Sequence, residues 1–197
     1  MLNCHSGDSG AAHEKIFILT IVAFTLALHT AAYAADTSVE VLLKAPLDEP
    51  RGYCIDAVGP QARADISRPL QAHSCYSYQG RVAVDQGFEL VRLQAGAFKL
   101  IFFNVCMSAT PREGSPLMLA PCTDDPAQKF VWLPSGAINP RDAPSLCLTV
   151  AEGSGVPGNG GSPVHLKRKL SLEKCDASRS AYQTWRYRAA FDRVADH

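Results

Sequence analysis

One unit recurs three times along the chain, and no other feature restricts the fold as strongly. Each copy opens with Cys and a short apolar segment. It passes a loop holding Gly or Pro, reaches a second apolar segment ending in Cys, and then presents Gln-x-aromatic. The first copy reads Cys54-Ile-Asp-Ala-Val-Gly, Leu70-Gln-Ala-His-Ser-Cys75 and Asp85-Gln86-Gly-Phe88-Glu-Leu90. The second reads Cys106-Met-Ser-Ala, Leu117-Met-Leu-Ala-Pro-Cys122 and Ala127-Gln128-Lys-Phe130-Val-Trp132. The third reads Cys147-Leu-Thr-Val, Leu170-Ser-Leu-Glu-Lys-Cys175 and Tyr182-Gln183-Thr-Trp185-Arg-Tyr187. Gln86 and Gln128 stand 42 residues apart, and Gln128 and Gln183 stand 55 apart, so the third copy carries an insertion. The links repeat too, as Gly96-Ala97-Phe98 and Gly136-Ala137-Ile138.

The repeated segments are short, rich in Val, Leu, Phe and Trp, and bounded by Gly, Pro, Asp and Ser, which specifies strands. Phe130 with Trp132, and Trp185 with Tyr187, alternate at the strand period, so one face of each strand is expected in the core together with Phe88. No helical period is present, and the fold class is all-β. Solenoids and propellers are the other repeat architectures. Three units without capping repeats point instead to a closed three-fold barrel.

Seven cysteines is an odd number for an exported chain. Ile16 to Leu28 is an apolar run behind Lys15, followed by Ala32-Tyr33-Ala34, which reads as a signal peptide over residues 1–34 cleaved near Ala34 or Ala35. An uncleaved anchor is the alternative, but His29 and Thr30 end the run short of the roughly 20 apolar residues a bilayer needs. Cleavage removes Cys4 and leaves six cysteines, which allow fifteen pairings. The repeat selects pairing within units: Cys54–Cys75, Cys106–Cys122 and Cys147–Cys175. Each bridge is worth about 3 kcal/mol in the chain-entropy model.

Three cysteine pairs in phase with three Gln-x-Trp/Phe strands resemble the ricin B-type lectin family, over residues 39 to 190. The resemblance implies a β-trefoil over residues 35–197, with units near 47–93, 94–136 and 137–190 and one potential sugar pocket in each. It also implies a carbohydrate-binding protein, secreted or extracytoplasmic, with glycans of galactose type as partners.

Pockets of that family use an Asp two residues after the first Cys, then a Gln and an aromatic or His before the second Cys, and finally an Asn-Gln pair. Unit one matches with Asp56, Gln71, His73, Asp85 and Gln86, with Asp where Asn is common. Unit two has Ser108, Met118, Ala120 and Ala127 at these places, and unit three has Thr149, Ser171, Glu173 and Tyr182, so neither supplies the carboxylate. Asp56 is expected to accept from two vicinal hydroxyls, since charge-assisted bonds are the strong ones. His73 is expected to stack on the C–H face in a solvent-open hollow, with Tyr76 or Tyr78 as a substitute, while Gln71 and Asp85 meet further hydroxyls. Gln86, like Gln128 and Gln183, is expected to tie strands together, because it recurs where the carboxylate does not.

The glycine-rich run 152–162 reads as a flexible inserted loop, and His165 to Lys169 as a solvated strand end. Beyond residue 34 the chain holds 18 Lys+Arg against 17 Asp+Glu, which gives nucleic acid and acidic lipid no basic face to bind. No membrane insertion is expected once the signal is removed. The histidines at 73, 165 and 197 have no metal-ligand spacing, and the thiols are spoken for, so no metal, cofactor or catalysis is expected. A non-catalytic trefoil interaction or inhibitor module that has lost its sugar site is the other class. If Asp56 takes the hydroxyls, sugar binding should fade as pH falls through the carboxylate range near 4, and undiminished binding at pH 3 counts against it.

Overall fold

The computed structural model describes residues 38–189. The expected signal segment, residues 1–34 with its cleavage near Ala34, lies outside the described residues. Thirteen short strands follow the repeat. Unit one contributes β1 (Ser38–Leu43), β2 (Tyr53–Asp56), β3 (Gln71–Ser74) and β4 (Phe88–Glu89). Unit two contributes β5 (Lys99–Leu100), β6 (Val105–Ser108), β7 (Met118–Pro121) and β8 (Phe130–Trp132). Unit three contributes β9 (Ile138–Pro140), β10 (Leu146–Val150), a small extra strand β11 (Val156–Pro157), β12 (Leu166–Lys174) and β13 (Trp185–Ala189). The helices α1 (Leu90–Gln94) and α2 (Ser180–Gln183) are about one turn each.

Within every unit the second and third strands form a hairpin: β2 with β3, β6 with β7, and β10 with β12. The first and fourth strands pair around the chain instead. β1 lies between β13 and β4, β4 pairs with β5, and β8 pairs with β9. This is the three-fold arrangement predicted by the repeat, and the first strand begins at Ser38, ahead of residue 47.

Strand alternation sets the core. Val39, Val41 and Leu43 of β1 point inward, while Leu42 on the opposite face packs on the Cys54–Cys75 bridge. Phe98 sits among Phe88, Phe130 and Trp132, with ring centroids 5.5 to 6.1 Å away. Phe88, Phe130 and Trp185 are buried, as expected, whereas Trp132 is half-buried and Tyr187 exposed. The three disulfides Cys54–Cys75, Cys106–Cys122 and Cys147–Cys175 span Cα separations of 4.9 to 5.0 Å.

The recurring glutamine has one job in all three units. Its Oε1 accepts the backbone N–H of the residue after the second Cys: Tyr76 for Gln86, Thr123 for Gln128, Asp176 for Gln183. Its Nε2 donates to the carbonyl of the residue before that Cys: Ser74, Pro121 and Lys174. Each amide therefore clamps the end of a hairpin to the strand that follows. Buried backbone groups in irregular segments must find such partners.

The repeated link glycines have a physical reason. Gly96 and Gly136 adopt φ of 81° and 95°, a region costly for residues with a Cβ. Their carbonyls accept from Phe130 N and Trp185 N, each at 2.9 Å. A Cβ on Gly136 would lie 2.7 Å from the Thr184 side chain and 2.9 Å from the Trp185 carbonyl oxygen. Gly136→Ala is expected to destabilise the fold by about 2–3 kcal/mol in urea denaturation. A loss below about 0.5 kcal/mol would contradict the close approach.

Candidate functional site

Strand register assembles the five residues singled out in unit one. In the β2–β3 hairpin Asp56 is opposite Gln71, and Cys54 is opposite His73. Tyr53, Ile55 and Ala72 take the core face, so Asp56, Gln71 and His73 share the outer one. Asp56 Oδ1 accepts from Gln71 Nε2 at 2.7 Å, and its Oδ2 accepts from Gln86 Nε2 at 2.9 Å. Asp85 is fixed beside them: its carbonyl accepts from Ala57 N at 3.0 Å and its Oδ2 from Gln61 N at 2.8 Å. Its Oδ1 is buried with no protein partner. His73 belongs to a neighbouring ring cluster, with centroids 5.3 Å from both Tyr76 and His165.

The solvent-open hollow expected here is closed. Asp56 is 1% exposed, Asp85 and Gln86 0%, and His73 7%; Gln71 alone remains half-buried. Gln86 is buried as Gln128 and Gln183 are, whereas over His73 the cover comes from the insertion in unit three. β12 begins early, and its first residues pair with the free edge of β3, placing Lys167 opposite His73 and Lys169 opposite Gln71. The segment before it folds over His73, where a Cβ on Gly158 would lie 3.2 Å from Nε2. Tyr78 hydroxyl and His165 Nε2 meet at 3.0 Å across the same cover.

Residues 152–162, read from composition as a flexible loop, are bonded at Gly155, Gly158 and Gly160, and His165 and Arg168 are buried rather than solvated. Asp48 accepts from Gly155 N at 2.7 Å and from Arg168 at 2.6 Å. Arg51 donates to the carbonyls of Pro163 and Val164 at 2.9 and 3.0 Å. Glu49 is buried between Arg51 and the Ser74 hydroxyl, and that hydroxyl also accepts from Leu166 N at 2.8 Å. These anchors were not singled out from the sequence. The only linear hint is charge at 48–51 and again at 165–169, and nothing in either run shows that they meet.

Burial governs the electrostatics. Desolvation, reinforced by the nearby Asp85 charge, lifts Asp56 well above the usual carboxylate range. Desolvation also lifts Asp85 to about 6, against the opposing backbone hydrogen bonds. The titration near 4 expected for Asp56 is thus displaced upward. His73 moves down to about 4, chiefly by burial, with the His165 and Lys167 charges adding to it. Glu49 falls to about 2, because bonds from Arg51 and Ser74 outweigh its desolvation.

Unit three repeats the outer-face geometry with Thr149 opposite Ser171 and Cys147 opposite Glu173; unit two has Ser108 opposite Met118. Thr149 takes the place of Asp56 and accepts from Gln183 Nε2 at 3.0 Å. Gln71 lines a cleft of about 790 Å³ to which all three units contribute, with Arg68, Pro116, Lys167, Lys169 and Ser171 among its walls. A smaller hollow of about 330 Å³ lies between Gly96, Phe130, Trp132, Arg141 and Tyr187. Among the described residues, the cluster with metal-ligand spacing is Glu40 with Cys54 and Cys75, and both sulfurs are held in a disulfide.

No protein-family model and no curated protein matches the chain. Solved structures do. The solution structure of the mdaA-1 domain is 16% identical at a TM-score of 0.56, covering 76% of this chain and 88% of that one. The designed three-fold symmetric protein ThreeFoil is 14% identical at 0.54, covering 77% and 97%. The C-terminal domain of an earthworm lectin, a mutant in complex with 6'-sialyllactose, is 13% identical at 0.53, covering 78% and 98%. The chain is a β-trefoil. At these identities the likeness concerns the fold.

The trefoil's buried Asp85 yields a pH signature. Its folded value of about 6 lies above the ordinary 3.8, so its contribution to stability is fully present below 3.8 and is lost as pH rises through 6. Asp85→Asn removes that loss. The variant's stability relative to the parent should rise by up to about 3 kcal/mol between pH 4 and pH 7 in urea denaturation. A pH-independent difference would show that the carboxylate is solvated.

Proposed function

We propose that this trefoil is a non-catalytic carbohydrate-binding module, exported from the cell, with its saccharide site in the cleft beside unit one. One observation carries the reading. Asp56, held by Gln86, fixes one N–H of Gln71 and leaves the Gln71 carbonyl oxygen, without a protein partner among the described residues, at the cleft wall. A preoriented amide offers a donor and an acceptor together, which suits neighbouring sugar hydroxyls. Gln71 is then the residue that touches the ligand, and Asp56 and Gln86 set its orientation from behind. Asp85 and His73 complete the support, and His73 is not the stacking ring.

The complex of the earthworm lectin trefoil with 6'-sialyllactose supports a glycan ligand for this fold, and galactose-type sugars are the class we favour. Three disulfides support an oxidising compartment. Burial of Asp56 and Asp85 keeps that carboxylate pair from facing a substrate, which supports the non-catalytic reading. A single shallow site implies millimolar affinity, about −4 kcal/mol, so useful avidity requires clustered glycans.

The closed hollow favours a second reading, a trefoil interaction or inhibitor module that has lost its sugar site. The exposed Val91, Ile101 and Phe102 would suit a protein partner. A glycan array separates the two. The parent should bind a coherent sugar class, Gln71→Ala should weaken it at least about tenfold, as loss of a polar contact predicts, and Asp56→Asn should weaken it less. Binding untouched by Gln71→Ala moves the sugar elsewhere, and a folded parent that binds no glycan supports the interaction module.

A further inference from the structure

The extension of β12 does more than cover His73. It adds a third strand to the β2–β3 hairpin, so that residues line up in rows across the outer face: Asp56, Gln71 and Lys169 in one, Cys54, His73 and Lys167 in the next. Side chains opposite one another in such rows emerge on the same side of the sheet. Two lysines therefore flank the amide assigned above to the saccharide. Arg68, exposed in the loop leading into β3, lines the same cleft.

Among the described residues, none of these three cations has an ion-pair partner within 4.0 Å. Arg168 is the other cation at the cleft, and two carboxylates, Glu152 and Glu173, line it as well. Arg168 donates to Asp48 and the Ala151 carbonyl. Glu152 pairs with Arg179 at 2.6 Å, and Glu173 accepts from the Ser171 hydroxyl at 2.6 Å. Asp65, near Arg68 in sequence, bonds the Ser67 backbone and hydroxyl and feels the Arg68 charge without an ion pair to it. The floor includes Leu70, Pro116 and Val156, apolar surface of the kind that packs against the C–H face of a sugar.

We propose that the cleft binds a saccharide bearing an acidic group, a carboxylate or a sulfate, with Lys167, Lys169 and Arg68 reading the charge and Gln71 reading adjacent hydroxyls. The inference rests on the carbohydrate reading above. Lysine supplies a mobile point charge that accepts either acid, and an exposed cluster of this kind acts through field as well as contact. Binding should accordingly weaken as salt is raised.

The test prints three matched oligosaccharide sets on one array: neutral, the same cores with a uronic or sialic carboxylate, and the same cores with an O-sulfate. Poly-glutamate serves as a non-sugar polyanion, and the full chain is the probe. At least tenfold stronger binding of one acidic set is expected, and the set preferred identifies the acid. Lys167→Gln with Lys169→Gln should abolish the preference; Lys44→Gln, with the same chemical change outside the cleft, should not. If the double variant fails to fold by circular dichroism, Arg68→Gln alone should reduce the preference. Equal binding of neutral and acidic sets overturns this inference but leaves the carbohydrate reading standing. Equal capture of poly-glutamate overturns it in favour of a general anion surface. Binding of no sugar at all overturns both.

Discussion

Each outer hairpin of this trefoil hangs on a side-chain amide that bonds the backbone on both sides of a disulfide cysteine. Gln86, Gln128 and Gln183 make the same two bonds in three different settings. The disulfide joins the two strands of the hairpin, and the glutamine joins the hairpin to the strand that re-enters the barrel. Without the amide, the buried Ser74 carbonyl of unit one would lose its side-chain partner, at a cost of about 1–3 kcal/mol. The second N–H of Nε2 is what distinguishes the units: it meets Asp56 in unit one and Thr149 in unit three. A structural clamp thereby also orients the residue two places after the first cysteine, and the candidate site grows out of it.

Unit one has become dependent on unit three. In a symmetric trefoil each hairpin presents its own outer face to solvent. Here β12 runs on past its own partner and joins the edge of β3, which occupies an otherwise unpaired edge. The contact is held by ion pairs and backbone acceptors around Asp48, Glu49, Arg51 and Arg168. Beside that contact Asp56 and Asp85 rise and His73 falls in pKa for the same reason: charge is expensive where water is excluded.

The repeat made most of the architecture legible. The cysteine pairs, the three-fold order, the core aromatics Phe88, Phe130 and Trp185, and the strand-tying role of the glutamines all follow from spacing and alternation. The grouping of Asp56 with Gln71 and Gln86 came from the resemblance to the ricin B-type pattern, and the register explains the first pair, since two residues past one cysteine and four before the other are opposite in this hairpin. Exposure was not legible. Glycine-rich composition at 152–162 describes what the backbone can adopt, whereas Gly155 and Gly161 stand where Tyr53 and His165 leave no room for a Cβ, and Gly158 packs closely on His73. The partners of that segment lie more than 100 residues earlier, at Asp48 and Arg51, and short-range patterns carry no information about contacts of that length.

The pairing of β1 with β13 also orders events in time. Five residue pairs, from Val39 with Ala189 to Leu43 with Trp185, join the first strand to the last. During synthesis at about 5–20 residues per second, β1 emerges and then waits roughly 7–30 s for its partner. Throughout that interval one edge of a strand rich in Val and Leu has no neighbour to bond. In any polypeptide that crosses a membrane before it folds, such a first strand stays unpaired until the far strand arrives, and closure of the barrel comes after release.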